Sequence, residues 1–229
     1  MNPAQLSNRL AGLFHTGAVA TEMREPGDPA LLLRAEAVHV GRSVAKRAGE
    51  FAAGRLCARR ALAELHIEAF PLRAAQDRQP IWPAGVVGSI THTTGFCAAA
   101  VAPSRVIAGL GLDSEVVGAV SLDIWPSIAG AEELAWLDSL VFSQRAAAIA
   151  LIFSAKEAFY KLQYPMVREH LSFHDVRVFP RDWGADHAAF DMHPTKPLAL
   201  EAVAALPLQG RYLFHDGLVS TGISIARGS

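Results

Sequence analysis

Cysteine, net charge and long apolar runs are all scarce in this 229-residue chain, and each scarcity closes off a class of function. The two cysteines, Cys57 and Cys97, make neither a disulfide framework nor a metal-binding pair, and they suit a reducing compartment. Histidine and cysteine are too scattered for a zinc site. Twenty-one basic residues against 22 acidic leave a net charge of −1, which argues against a nucleic-acid binder working by bulk electrostatics. Apolar runs break off well short of the ~20 residues that a membrane span needs. The first residues carry Gln5, Ser7, Asn8, Arg9 and His15 and lack the apolar core of a secretory signal. Neither an internal repeat nor a low-complexity segment is visible. The expectation is a globular, cytoplasmic protein without nucleic-acid or membrane partners.

Hydrophobic residues make up 51% of the chain, enough to bury a sizeable core in one large domain or two small ones. The N-terminal half reads as a short helix near Leu6–Phe14, a strand around Gly17–Thr21, a loop over Glu22–Pro29 and a helix near Ala30–Val38. A long helix follows from about Ser43 to Leu65. Pro71 to Pro83 is loop-like, and a hairpin pairs Val86–His92 with Phe96–Ala102 through Thr93-Thr94-Gly95. Pro103-Ser104-Arg105 is the candidate linker. Beyond it come a strand at Val106–Ser114, a loop or short helix at Val117–Ile128, and a continuous helix from Gln144 to Gln163 without Gly or Pro. Strands at Val176–Phe179, Ala188–Met192, Tyr212–Phe214 and Gly217–Ala226 complete the chain.

Three stretches carry chemistry. On the long first helix Arg47, Phe51, Arg55 and Arg59 succeed one another at i+4 and form one row. Two accounts of it stand side by side: stems that pack while the heads reach water, or fixed cations awaiting an anion such as phosphate. On the hairpin, Gly88 marks a close approach of backbone or ligand, and His92 beside Ser89 is either a surface histidine or a phosphate donor. Asp113 and Glu115 are two apart on a strand, so both carboxylates point to one side. They are a solvated strand end or the oxygen ligands of a hard divalent ion such as Mg²⁺. On the second long helix Glu157 and Lys161 stand one turn apart, with Ser154 a turn earlier. That trio reads as a surface ion pair, a capping box or part of a site.

In order along the chain, Gly88-Ser-Ile-Thr-His92, Gly111-Leu-Asp-Ser-Glu115 and Phe153-Ser-Ala-Lys-Glu-Ala-Phe-Tyr-Lys161 resemble the motifs of the 4′-phosphopantetheinyl transferases. The likeness is to the long, two-subdomain class of the surfactin and enterobactin synthetase activating enzymes. It is supported by Gly54-Arg-Leu-Cys-Ala-Arg59 and Pro80-Ile-Trp-Pro83, and it spans about residues 45 to 163. The resemblance implies an α+β fold: a pseudo-twofold pair of subdomains, each a small sheet packed with a long helix, with the site in the groove between them. With the linker above, the division falls into residues 1–104 and 105–229. It also implies a Mg²⁺-dependent, monomeric enzyme that transfers the phosphopantetheine arm of coenzyme A to a serine of an acyl or peptidyl carrier protein, releasing 3′,5′-ADP. Asp113, Glu115 and Glu157 match the metal-holding positions. Arg47, Arg55, Ser89, His92 and one of Arg73 and Arg78 match phosphate contacts, and Lys156 and Lys161 match lysines beside the pyrophosphate. Glu157, directly or through a metal-bound water, is the expected base for the carrier serine, kept ionised by Lys161.

Rival readings use the same residues: a Mg²⁺-dependent phosphohydrolase, or a non-catalytic module binding coenzyme A or a carrier. Between Val106 and Ala155 the one basic residue is Arg145. Val117, Leu122, Ile124 and Trp125 are therefore expected either to touch the carrier through apolar contacts or to be ordinary core. Arg168 and Lys196 are candidates for the cations that would meet an acidic carrier.

Overall fold

The computed structural model describes residues 3–41, 44–202, 204 and 208–227. It is an α+β protein whose chain divides into two compact units, Met1–Leu110 with Ala226–Ser229, and Gly111–Ile225.

The first unit holds α1 (Pro3–Ala11), β1 (Val19–Met23), α2 (Arg34–Ala37), α3 (Ala45–Glu64), β2 (Val86–Thr93) and β3 (Phe96–Pro103). The strands form an antiparallel sheet in the order β1-β3-β2, with Thr93 opposite Phe96 across the Thr94-Gly95 turn. Gly95 supplies the positive φ, +71°, that this two-residue turn requires. Central β3 is buried from Phe96 to Ala102, and its run of alanines leaves room for α3 to lie close. Ala53, Cys57, Ala58, Ala61 and Leu62 of α3 enter the cores built there. The close approach expected at Gly88 is made by a side chain of the same unit: a Cβ at that position would stand 2.5 Å from the Trp82 ring. The helix expected at 30–38 is a single turn over Pro29–Leu31 followed by short α2. The expected start of α3 at Ser43 lies outside the described residues.

The second unit takes in the end of β4 (Ile107–Val116), then α4 (Trp125–Ile128), α5 (Ala131–Ser139), α6 (Phe142–Val167), β5 (Val176–Pro180), β6 (His187–Pro194), β7 (Leu208–His215) and β8 (Leu218–Ala226). Its sheet runs β4-β8-β7-β6-β5, with β5 to β8 antiparallel to their neighbours. Pro103-Ser104-Arg105, expected as a linker, comprises the last residue of β3 and the start of a hydrogen-bonded turn into β4, with the Val106 N–H on the Pro103 carbonyl at 2.9 Å. The contact boundary lies within β4, between Leu110 and Gly111. α6 is buried all round from Ala148 to Ile152 because its apolar residues occupy every face. Its Phe159 and Leu162, each worth roughly 1.5–3 kcal/mol of apolar burial, join the core of this unit. Gly111 lets the helix cross β4 closely, since a Cβ there would fall 1.8 Å from the Ala158 carbonyl oxygen.

Candidate functional site

In the second unit the crossing of β4 and α6 sets the geometry. Strand alternation puts Gly111, Asp113 and Glu115 on one face of β4, and the Gly111 approach shows that this face meets α6. On α6, Glu157 and Lys161 follow one another by a turn. Lys161 Nζ donates to Asp113 Oδ1 at 2.6 Å and to the Leu112 carbonyl at 3.3 Å. Lys161 therefore holds Asp113 rather than Glu157, the partner expected for it. Burial raises the Glu157 pKa, Asp113 adds to the rise, and Lys161 offsets part of it. Glu115 is pushed up to about 7 by burial and then by Asp113 and Glu157, with Lys161 opposing. The three carboxylates thus crowd one another.

That crowding tests the site for a metal. All three donors are carboxylate oxygens from two packed elements, the set that a hard divalent cation prefers, and their mutual repulsion is what a doubly charged ion would relieve. Among the described residues, however, no group of three or more His, Cys, Asp or Glu side chains stands in a metal-ligating arrangement. The donor chemistry fits Mg²⁺, while Lys161 supplies the positive charge at Asp113 in this arrangement.

Lys156, expected beside a pyrophosphate, points elsewhere. Its Nζ donates to the Ile128 carbonyl at 2.8 Å, to Glu133 Oε2 at 2.7 Å and to the Phe173 carbonyl at 2.8 Å, and its side chain is 1% exposed. Burial lowers its pKa while Glu133 opposes the fall. Three acceptors fill the three N–H positions of an ammonium, so a phosphate contact is replaced by an internal one. Glu133 was missed at the sequence level, and so was α5, which carries it. The signal was the spacing from Gly130, whose N–H donates to Glu133 Oε2 at 2.8 Å in the manner of a capping box.

In the first unit the arginine row is real but its members differ. Arg47 Nη1 lies 3.0 Å from His92 Nε2 and 3.5 Å from Glu50 Oε2. A guanidinium can only donate, so this contact makes Nε2 the acceptor and puts the proton of a neutral ring on Nδ1. Arg55 is 6% exposed, so its head does not reach water as the packing account requires. Its Nε–H donates to the Leu72 carbonyl at 2.8 Å, the guanidinium lies 4.0 Å over the Phe51 ring, and burial lowers its pKa to about 10. Arg59 has its anion within the unit, the wholly buried Glu36, which also accepts from the Leu33 and Leu72 N–H groups at 2.9 Å each. Glu36 is the second functional-looking charge that sequence reasoning missed.

Other expected positions separate. Ser89 and His92 lie on opposite faces of β2, three residues apart in a regular strand, and Ser89 is buried while His92 is exposed. His92 thus points away from Ser89, to the exposed side of the strand. Arg73 and Arg78 are both exposed, in the segment between α3 and β2. An open cavity of about 180 Å³ is bordered by Lys46, Glu50 and Gly49 of α3, by Arg24 and by His92–Cys97. In the second unit Leu122 and Ile124 are 65% and 41% exposed, so they are not core, whereas Trp125 packs on the core and its indole N–H reaches the Val120 carbonyl at 3.2 Å. Lys196 is paired with Asp175 at 3.0 Å, and the Arg168 guanidinium lies 5.5 Å from the Tyr164 ring centre. Among the described residues no helix is long and apolar enough to cross a membrane.

Residues 35–102 match the 4′-phosphopantetheinyl transferase N-terminal domain family, and residues 109–209 match the 4′-phosphopantetheinyl transferase superfamily. Three relatives are similar over most of their length. The 4′-phosphopantetheinyl transferase Svp of Streptomyces mobaraensis is 36% identical over 88% of this chain and 82% of its own. Npt of Nocardia iowensis is 32% identical over 93% and 98%, and PptT of Mycobacterium tuberculosis is 31% identical over 82% and 83%.

Proposed function

The chain belongs to the 4′-phosphopantetheinyl transferase family, and from that premise we propose which of its residues carry the transfer. It is an enzyme that moves the 4′-phosphopantetheine arm of coenzyme A to a serine of an apo carrier protein and releases 3′,5′-ADP. The phosphohydrolase alternative finds no support among these relatives. Asp113, Glu115 and Glu157 hold a Mg²⁺ ion, whose charge, when bound, offsets that of the coenzyme A pyrophosphate. Lys161 holds Asp113 in place through their 2.6 Å contact. Glu157 takes the proton of the carrier serine hydroxyl as its oxygen forms the new bond to phosphorus and the bond to 3′,5′-ADP breaks. A general base is most effective when its pKa lies near the working pH, and burial shifts the Glu157 carboxyl upward from its ordinary value. Such transfers leave little covalent chemistry to the protein, so charge neutralisation and positioning dominate. Arg47, Arg55 and His92 of the first unit bind coenzyme A phosphate, and Leu122 and Ile124 of the second meet the carrier.

One observation carries this reading: Asp113 and Glu115 stand on the face of β4 that meets α6, the helix bearing Glu157 and Lys161, and Lys161 Nζ lies 2.6 Å from Asp113. The direct test incubates the protein with coenzyme A, Mg²⁺ and a panel of apo carrier proteins and follows intact mass. A gain of one phosphopantetheine on a carrier, dependent on Mg²⁺ and abolished in Asp113→Ala, is the expected result. Full transfer in the presence of a chelator would reject the metal assignment.

A further inference from the structure

The reaction as proposed leaves one buried ion pair unused, and that pair sits one residue from the proposed base. Lys156 Nζ binds the Ile128 carbonyl at the end of α4, Glu133 in the first turn of α5 and the Phe173 carbonyl ahead of β5. Glu133 in turn accepts from Gly130 N–H and, through Oε1, from Val178 N–H of β5, both at 2.8 Å. Both side chains are essentially without exposure, at 1% and 0%. The pair therefore ties α6 to three other segments of its unit.

Stability alone is a poor reason for such a pair. Replacing a buried ion pair with apolar residues of similar volume is often neutral or stabilising. What the pair adds is direction. Most of the other burial on α6 is apolar, through Ala148 to Ile152, Ala155, Ala158 and Phe159, and apolar burial is non-directional. The directional contacts beside the clasp are single ones, Ser154 Oγ with Thr221 at 2.8 Å and Lys161 with Asp113 at 2.6 Å. Three hydrogen bonds from one ammonium are directional together, because their strength falls steeply with angle. Residue 157 projects about 100° further round the helix than residue 156. We propose that the Lys156–Glu133 clasp is a positioning device that sets the rotation of α6 and so aims the Glu157 carboxylate. This rests on the reading of Glu157 as the base.

The test is a double-mutant cycle with Lys156→Met, Glu133→Leu and the pair together, reading melting temperature, coenzyme A affinity and kcat with an apo carrier. Each single variant leaves one buried charge alone and melts lower. The pair removes both charges and regains most of the melting temperature. Its kcat nevertheless stays down about 10–100-fold, the usual loss when a supporting residue is removed, with coenzyme A affinity within twofold of the parent. Glu133→Gln, a milder change that keeps Lys156 and an acceptor oxygen, melts somewhat lower, lowers kcat with coenzyme A affinity within twofold of the parent, and serves if the larger changes do not fold. Turnover that returns together with melting temperature in the pair would overturn the proposal. So would a loss of coenzyme A affinity confined to variants lacking Lys156, which would mean a direct phosphate contact. Glu157→Gln in the parent decides the base separately: normal turnover there rejects the base whatever the clasp variants do.

Discussion

Each unit sets one long helix against one sheet, yet α3 and α6 handle buried charge differently. In the first unit the cations are compensated where they stand. Arg59 meets Glu36, Arg55 meets a carbonyl and the Phe51 ring, and Leu72 is clamped between Glu36 on its N–H and Arg55 on its carbonyl. In the second unit Lys156 is compensated by Glu133, but Glu115 and Glu157 crowd Asp113, which Lys161 contacts, and the pKa values of both glutamates are raised by burial and by Asp113. One set of charges holds a fold together. The other is held by the fold in an arrangement that it does not by itself favour, which is the condition for binding a cation.

The contrast can be broken most sharply at Glu36. Glu36→Ala leaves Arg59 and two backbone N–H groups without their acceptor, and a loss of about 3–5 kcal/mol is expected, read as a fall in denaturant midpoint at unchanged slope. A loss below about 1 kcal/mol would mean that water replaces the carboxylate and that the compensation is superficial. Asp113→Ala and Glu157→Ala test the other side. Each should lower kcat by about 10²–10³-fold or more, the loss typical when one preorganised charge is removed from a reacting centre. Melting should hold or rise, because each change thins the crowd of anions. A variant that lost stability and kept turnover would reverse the contrast.

A smaller effect belongs to Arg55. Arg55→Ala should raise the coenzyme A KM about 10–100-fold with little change in kcat, and dephospho-coenzyme A, which lacks the 3′-phosphate, should erase most of the difference. Equal impairment with both substrates would make Arg55 wholly structural, through Leu72 and Phe51.

The smallest effect is a pH dependence. The folded Glu115 carboxyl titrates at about 7 against an ordinary 4.5, so between those values the folded state holds a proton that the unfolded chain does not. Glu157 shifts in the same direction. The Glu115 contribution to stability is fully present below about 4.5 and is lost as pH rises through about 7, so without metal the melting temperature should rise as pH is lowered from 8 to 5. Asp175 shifts the opposite way, its slight burial outweighed by hydrogen bonds from Ser172 and Lys196, and it acts only below its ordinary 3.8. Saturating Mg²⁺ should flatten the slope in the parent protein, and Glu115→Gln should weaken it without metal. A slope untouched by either would detach it from these carboxylates.

Periodicity and spacing reached most of the fold and the main acidic residues. An uninterrupted stretch of helix formers announced α6, which runs slightly further than expected, from Phe142 to Val167, and takes Pro165 into its last turn. The hairpin of β2 and β3 followed from alternation and a Gly-bearing turn. Nine-residue α5 was missed because its two N-terminal glutamates and Asp138 look like solvated loop. Lys156 was misjudged for a related reason: a motif shows which residues are adjacent in sequence, whereas neighbours on a helix point about 100° apart and meet different surroundings.

By itself the sequence determined the order of elements, the single face shared by Asp113 and Glu115, the row of Arg47, Arg55 and Arg59, and the family to which these motifs belong. Those properties are local, set by the two-residue period of strands and the 3.6-residue turn of helices. Only the tertiary structure decided which partner each charge takes. Lys161 goes to Asp113 from 48 residues away, Lys156 to Glu133 from 23 and Arg59 to Glu36 from 23. Such pairings depend on where packed backbones cross, as α6 crosses β4 at Gly111, because a buried charge is bound by whatever acceptor the packing brings within about 3 Å, at any distance along the chain.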